Sequence, residues 1–275
     1  MKKVFALVLT AVMVLTMFAG CGSKSDAPKL KVALSPDFAP MEFVDPSKTG
    51  QDQYVGFDVM LAKYIASEMG KELEIVPMSF DACQTAVSMG KVDMAISGFS
   101  WTEERAENYN MSDWYHAGDN ETEQVLITLA YNGDQYAAAE SLAGLTVGAQ
   151  TASLQESLCK EQLTDTELVP YSDITTGIMQ LKKGDFQVMA VATGNADAII
   201  SANPDIAKSG FIFQVDEKYT DNVILLKKGA DELTAQVNEI LAKAEAAGLY
   251  ETWYAEALTI AGVDVSYDDE GNAIG

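Results

Sequence analysis

Hydrophobic and polar positions along this chain switch repeatedly between a period near two and a period near 3.6. Residues 30–34 form a short apolar run of strand type. Phe57, Leu61, Tyr64, Ile65 and Met69 then recur at helical spacing, and Gly70 closes that helix. Residues 73–76 predict a second strand, residues 81–89 a helix stopped by Gly90, and residues 92–96 a third strand. Residues 124–129 read as an extended crossing. A second set follows, with strands at 145–149, 167–169, 188–191 and 211–215 and helices at 153–163, 174–182 and 195–201. Residues 222–226 are a β-rich run able to return to the first set, and helices at 231–247 and 249–258 finish the fold. Such alternation predicts an α/β fold in which each of two lobes is a mostly parallel sheet flanked by helices. The divisions expected are lobe 1 over 29–127, lobe 2 over 128–221, the return of lobe 1 over 222–260, and a mobile acidic tail over 261–275.

The start of the chain has a different pattern. Lys2 and Lys3 precede an apolar run over residues 4–20, broken only by Thr10 and Thr16. That is the layout of an export signal. The run ends in Phe18-Ala19-Gly20-Cys21 and gives way to polar residues. Small residues before a cysteine resemble a bacterial lipoprotein signal, although Phe18 stands where leucine is usual. Cleavage after residue 20 leaves Cys21 as a lipid-modified N-terminus and residues 21–28 as a flexible tether. A plain signal peptide is the alternative, and it leaves Cys21 unexplained.

Composition narrows the functional classes. The chain has 275 residues, with 41 acidic against 18 basic side chains and a net charge of −23. Loss of residues 1–20 removes two of those lysines and no acid, so the charge moves to −25. This balance argues against nucleic acid and against docking on anionic lipid through a basic face. It does not fix the sign of a small ligand, because a pocket is local. His116 is the only histidine, and no CxxC or Cys/His cluster exists. Transition-metal sites and histidine catalysis therefore have almost no material, and no cofactor, metal or catalytic residue is assigned. Cys83 and Cys159 fall in helices of different lobes, so two free, buried thiols are expected rather than a disulfide that would lock the lobes.

Ligands of open α/β sheets bind beyond the C-terminal strand ends, and two turns there carry candidate chemistry. The first is Ser97-Gly98-Phe99-Ser100-Trp101-Thr102-Glu103-Glu104-Arg105. Gly98 lets backbone approach a ligand, Ser100 and Thr102 offer hydroxyls at a helix start, and Arg105 can grip a carboxylate with two parallel hydrogen bonds. The spacing is equally compatible with simple helix capping and an Arg105 paired to a surface acid. The second turn is Gly148-Ala149-Gln150-Thr151-Ala152-Ser153-Leu154-Gln155, where capping by Ser153 is the simpler reading.

Taken together, these segments resemble a known family over roughly residues 29–258. The carriers are Phe38-Ala39-Pro40-Met41-Glu42-Phe43, Val55-Gly56-Phe57-Asp58-Val59, Gly98 to Arg105, Ser112-Asp113-Trp114-Tyr115, the Gln150 turn and Gly248-Leu249-Tyr250. The chain is similar to family 3 extracellular solute-binding proteins, the receptors of ABC importers for polar amino acids. The resemblance implies a two-lobed, periplasmic-binding-protein-like type II fold with two crossing strands as hinge. It implies that Phe38 and Phe80 flank the ligand, that Ser97, Gly98 and Ser100 supply backbone and hydroxyl contacts, and that Arg105 holds the ligand carboxylate. In the second lobe, Gln150, Ser153 and the Leu154 amide close on the ligand. Ala152 replaces the usual glycine of that loop, and Trp101 is larger than the residue usual at its position.

One departure is informative. Relatives usually carry an aspartate for the ligand's α-ammonium at the position of Ala192. A methyl cannot neutralise an ammonium, and leaving one buried and unpaired costs about 2–5 kcal/mol. Either another acid reaches the site, Asp37 being the nearest candidate, or the ligand lacks an ordinary α-ammonium. A methylated or ring-embedded amine held by Phe38, Phe80 or Trp101 is a further option.

The function implied is that of a non-enzymatic, monomeric lipoprotein, exported and lipid-anchored at the outer face of the cytoplasmic membrane or in the periplasm. Its partners would be an amino acid or related small carboxylate and an ABC permease. Two alternatives stay open: a lyase on this scaffold resembling cyclohexadienyl dehydratase, and a sensory lipoprotein without transport.

Overall fold

The computed structural model describes residues 28–115, 123–219, 221–267 and 273–274. The expected signal, the lipidation site Cys21, the tether up to residue 27 and His116 lie outside the described residues. In chain order, the first lobe holds β1 (Lys29–Leu34), β2 (Asp37–Phe38), β3 (Glu42–Val44), β4 (Tyr54–Val55), α1 (Phe57–Glu68), β5 (Glu72–Pro77), α2 (Phe80–Ser88), β6 (Met94–Ala95), α3 (Glu103–Asn108) and β7 (Tyr109–Met111). The second lobe holds β8 (Gln124–Leu129), α4 (Ala139–Leu142), β9 (Thr146–Gln150), α5 (Leu154–Gln162), β10 (Glu167–Tyr171), α6 (Ile174–Lys183), β11 (Val188–Ala192), α7 (Thr193–Ala202) and β12 (Ile206–Ile212). The chain returns through β13 (Leu225–Lys227) and ends its helical part with α8 (Asp231–Ala246) and α9 (Leu249–Ala261).

Each lobe is a five-stranded sheet, ordered β5-β1-β6-β13-β7 in the first and β10-β9-β11-β8-β12 in the second. The strands joined through helices are parallel: β1 with β5 and β6, and β9 with β10 and β11. The strands that enter or return without a helical crossover are antiparallel: β8 in the second lobe and β13 in the first. A parallel sheet covered on both faces needs apolar residues on both. In β1, Val32 packs beneath α1, α8 and α9 with Phe57, Leu61, Leu241 and Tyr254, while Ala33 points the other way toward Phe80, Cys83, Val87 and Phe99. The second lobe repeats the scheme, with Val191 and Met189 on the Phe186 and Ile199 side and Val188 and Ala190 on the Leu154 and Leu158 side.

Several elements differ from the sequence expectation. Residues 124–127, expected in the first lobe as a crossing, belong to β8 and pair throughout with β11 in the second sheet. The run Gln124-Val125-Leu126-Ile127-Thr128 is buried on both faces, which places it inside a sheet and not in a connector. The strand expected at 211–215 is β12, displaced toward the N-terminus to Ile206–Ile212, with an irregular register between Lys208 and Ile212. The three-stranded sheet β2-β3-β4 was not foreseen, because strands of two or three residues show no periodicity. In the expected tail, Ser266–Tyr267 pairs antiparallel with Ala273–Ile274. Of the two connections between lobes, the outward one falls mainly in residues 116–122, outside the described residues, and the return passes Asn222, which bridges Ser100 and Tyr115.

Candidate functional site

The C-terminal ends of the parallel strands in both lobes face one another across a narrow cleft. Every residue expected to meet a ligand lines it: Phe38, Phe80, Ser97, Gly98, Ser100 and Arg105 from the first lobe, and Gln150, Ser153 and Leu154 from the second. The turns also settle the capping question. Thr102 caps α3 by accepting from the Arg105 amide at 3.1 Å, which leaves Ser100 free to line the cleft. Ser153 caps α5 through the Glu156 amide at 3.1 Å and also lines the cleft. Trp101 turns away, packing on the Phe80 and Phe99 cluster beside a separate surface groove.

Arg105 is the electrostatic centre of the cleft. It is 5% exposed. Its guanidinium sits 5.6 Å from the Phe80 ring centroid and 5.3 Å from that of Phe99, two rings stacked at 4.6 Å. Its hydrogen bonds go to neutral oxygens: Nη1 to Ser100 O at 2.6 Å, Nη2 to Ala152 O at 2.8 Å and Nε to Gln84 Oε1 at 3.4 Å. Burial without a paired carboxylate pushes its pKa down to about 10, still far above neutrality. A buried cation in this state favours an incoming anion.

Gly98 shows why this turn uses glycine. Its φ is +56°, and a Cβ there would lie 2.9 Å from the Phe38 ring. Ala152 adopts φ of 62° despite its methyl. Its carbonyl takes Arg105 from the other lobe, and its amide donates to Glu156 Oε2 at 2.7 Å.

Among the described residues, five side chains reach from one lobe to the main chain of the other; Gln84 on Ala152 O and Ser201 on Gly262 O are two of them. Arg105 reaches Ala152 O, Asn195 Nδ2 donates to Ala39 O at 2.9 Å, and the Asp37 carboxylate accepts from Ile174 N at the start of α6. An anion at a helix N-terminus is favourably placed. Asp37 also accepts from Ser35 Oγ at 2.7 Å, and burial raises its pKa. The lobes are therefore closed. Ala192 is buried as the N-cap position of α7 and does not line the cleft, and no second-lobe lining residue is acidic. Asp37 is an acid that does reach the cleft wall.

Beneath the Gly98 turn lies an acid pair that sequence reasoning quoted within motifs but gave no role. Asp58 accepts from Gly98 N at 2.7 Å and from Tyr115 Oη at 3.0 Å. Glu42 accepts from Ser97 Oγ, which in turn accepts from Ser35 N at 3.0 Å. Both acids are fully buried. Two carboxyls buried together cannot both ionise cheaply, so they hold a proton between them. Burial raises Asp58 to about 7, and burial plus the Asp58 charge holds Glu42 well above the usual carboxylate range. Tyr171, Gln155 and Asn195 also line the cleft and were not foreseen. Asn195 had a usable signal in its place on the first turn of a helix after a central strand; Tyr171 had none. Among the described residues, no group of three His, Cys, Asp or Glu side chains could hold a metal ion. Cys83 and Cys159 are free and buried, and burial pushes both thiols up, Cys159 to about 12.

This arrangement defines a two-lobed solute-binding protein. The chain belongs to the bacterial extracellular solute-binding proteins, family 3, whose family model matches residues 30–259. It is 29% identical over 258 residues to the arginine-binding extracellular protein ArtP of Bacillus subtilis, spanning 91% of this chain and 96% of that one. It is 28% identical over 263 residues to the histidine-binding periplasmic protein of Escherichia coli K12, spanning 91% and 95%. Among solved structures, the amino acid ABC transporter substrate-binding protein AbpA from Streptococcus pneumoniae, bound to L-arginine, superposes with a TM-score of 0.77 at 34% identity. That match covers 85% of this chain and 95% of the other.

Proposed function

We propose that this protein is the receptor of an ABC importer and captures an amino acid or similar small carboxylate between its lobes. Arg105 carries this reading: a buried guanidinium bonded only to neutral oxygens, at the junction of both lobes. The ligand carboxylate displaces part of that neutral set and takes Arg105 in two parallel hydrogen bonds, helped by Ser97, Gly98 and Ser100. Phe38 and Phe80 flank the carbon skeleton. Gln150, Ser153 and the Leu154 amide complete the shell from the second lobe. Ligand favours closure because only the closed state offers both walls at once. The closed form is then presented to the permease. The relatives named above support an amino-acid ligand, and Asp37 is the acid available to an ammonium where Ala192 offers none. The protein is exported as a monomer and held at the membrane by a lipid on Cys21.

Titration calorimetry with the L-amino acids tests the proposal. Binding of at least one is expected, and Arg105→Met is expected to weaken it by about 30-fold to several thousand-fold, as for a truncated buried charge pair. A protein that binds no small carboxylate, or an Arg105→Met variant of unchanged affinity, refutes it. A dehydratase reading finds less support. Glu42 and Asp37 line the cleft, but the oxygens of each are engaged by Ser97 and Asp58 or by Ser35 and Ile174.

A further inference from the structure

A buried polar atom without a partner costs about 1–3 kcal/mol, so its presence in a folded protein asks for an explanation. Among the described residues, the buried side-chain oxygens without a hydrogen-bond partner are Glu42 Oε2, Tyr171 Oη, Gln180 Oε1 and Asn195 Oδ1. Glu42 is accounted for by Asp58, with which it shares a proton. Gln180 lies on α6 and does not line the cleft. Tyr171 and Asn195 remain, and both line it. They come from different second-lobe elements, the end of β10 and the first turn of α7, and are 3% and 1% exposed.

Their orientation is fixed by the fold. Asn195 spends its Nδ2 on Ala39 O at 2.9 Å, which leaves Oδ1 as an acceptor with nothing to accept. The Tyr171 ring lies 6.1 Å from the Phe186 ring, centroid to centroid, and so close to α6 that a Cβ on Gly177 would come within 2.9 Å of it. Its hydroxyl is near enough to the Asp37 carboxylate, itself on the cleft wall, to feel that charge.

We infer that Asn195 Oδ1 and Tyr171 Oη are the second lobe's specificity contacts, receiving an N–H or O–H donor of the small carboxylate that Arg105 holds at its other end. The inference rests on the proposed capture of a carboxylate and names which chemistry of that ligand is read opposite the guanidinium. The second-lobe wall offers neutral oxygens there, and none of its lining residues is acidic. A neutral acceptor pair takes a hydroxyl as well as an amine of the same size. The ligand class is therefore a small carboxylate bearing a hydrogen-bond donor, with any positive charge balanced from the first lobe by Asp37.

The test uses the full chain as wild type, Tyr171→Phe and Asn195→Ala, titrated with each L-amino acid and the matching 2-hydroxy acid, alongside ligand-free thermal melts. Each variant is expected to lose roughly tenfold or more in affinity for whichever compound binds wild type. The ligand-free melting temperature of Tyr171→Phe is expected to equal or exceed that of wild type, because the hydroxyl has no protein partner to lose. Affinities within about twofold of wild type in both variants overturn the inference. So does a fall of more than about 2 °C in the ligand-free melting temperature of Tyr171→Phe, since that reveals a structural bond. Silence of the whole panel on wild type refutes carboxylate capture itself, and the melting arm still decides the status of Tyr171.

Discussion

Ala152 carries a left-handed backbone, φ 62°, on a residue with a Cβ, at the point where the second lobe meets Arg105. An L-residue in that region costs about 1–2 kcal/mol, and the strain is held in place by the Glu156 contact to its amide and the Arg105 contact to its carbonyl. Ala152→Gly relieves it, while glycine's greater freedom in the unfolded chain takes back about 0.5–1 kcal/mol. The expected net effect is a gain of up to about 1 kcal/mol, or a rise of about 2–4 °C in melting temperature; a fall in a thermal melt contradicts it. At this scale the sequence was informative where a residue type has one strong use. An arginine after a Gly-Ser turn and a missing glycine in a loop both announced themselves. Tyr171 did not, and Asn195 announced only its place after a central strand, because the significance of both is an absent partner, which spacing does not encode.

At the level of elements, the acid pair ties three pieces together. Glu42 belongs to β3, Asp58 to α1, and both reach the turn after β6 through Ser97 and Gly98. That turn lines the cleft, and its rigidity depends on a shared proton. The Asp58 pKa rises from 3.8 unfolded to about 7 folded, and Glu42 lies above its ordinary value as well. Protonation therefore favours the folded state: the contribution is full below the unfolded pKa and is lost as pH rises through about 7. Wild type is expected to lose melting temperature between about pH 5 and about pH 8, and Glu42→Gln to lose less. Glutamine supplies a permanent donor to Asp58 in place of the proton. Equal losses in the two proteins, measured by thermal melts, would remove the shared proton from the account. The long elements were legible in the sequence: α1, α6, α8 and α9 follow from apolar spacing and from glycines at their ends. The β2-β3-β4 sheet that supports Phe38 and Glu42 was not, because its strands are fixed by pairing and by α1 packing. The shift of β12 has the same origin, since its place is set by antiparallel pairing with β8.

For the whole molecule, charge and tether act together. An acidic body, of charge −25 once residues 1–20 are lost, is repelled by an anionic membrane surface, so the proposed residence near a permease needs an anchor that does not rely on the folded face. The lipid proposed on Cys21 is that anchor. Cells grown with labelled palmitate are expected to label wild type and leave Cys21→Ser unlabelled, with the variant released from the membrane fraction; label retained by the variant dismisses the anchor. Three of the contacts between the lobes, unlike the side-chain pair of Lys218 and Glu103, share one property. Each spends a side chain from one lobe on a main-chain atom of the other: Arg105 on Ala152 O, Asp37 on Ile174 N and Asn195 on Ala39 O. A main-chain carbonyl survives any substitution, and a main-chain amide survives all but proline. The receiving half of the clasp is thus largely insulated from mutation. Lineages can rewrite the wall around the guest and inherit this half of the clasp unaltered.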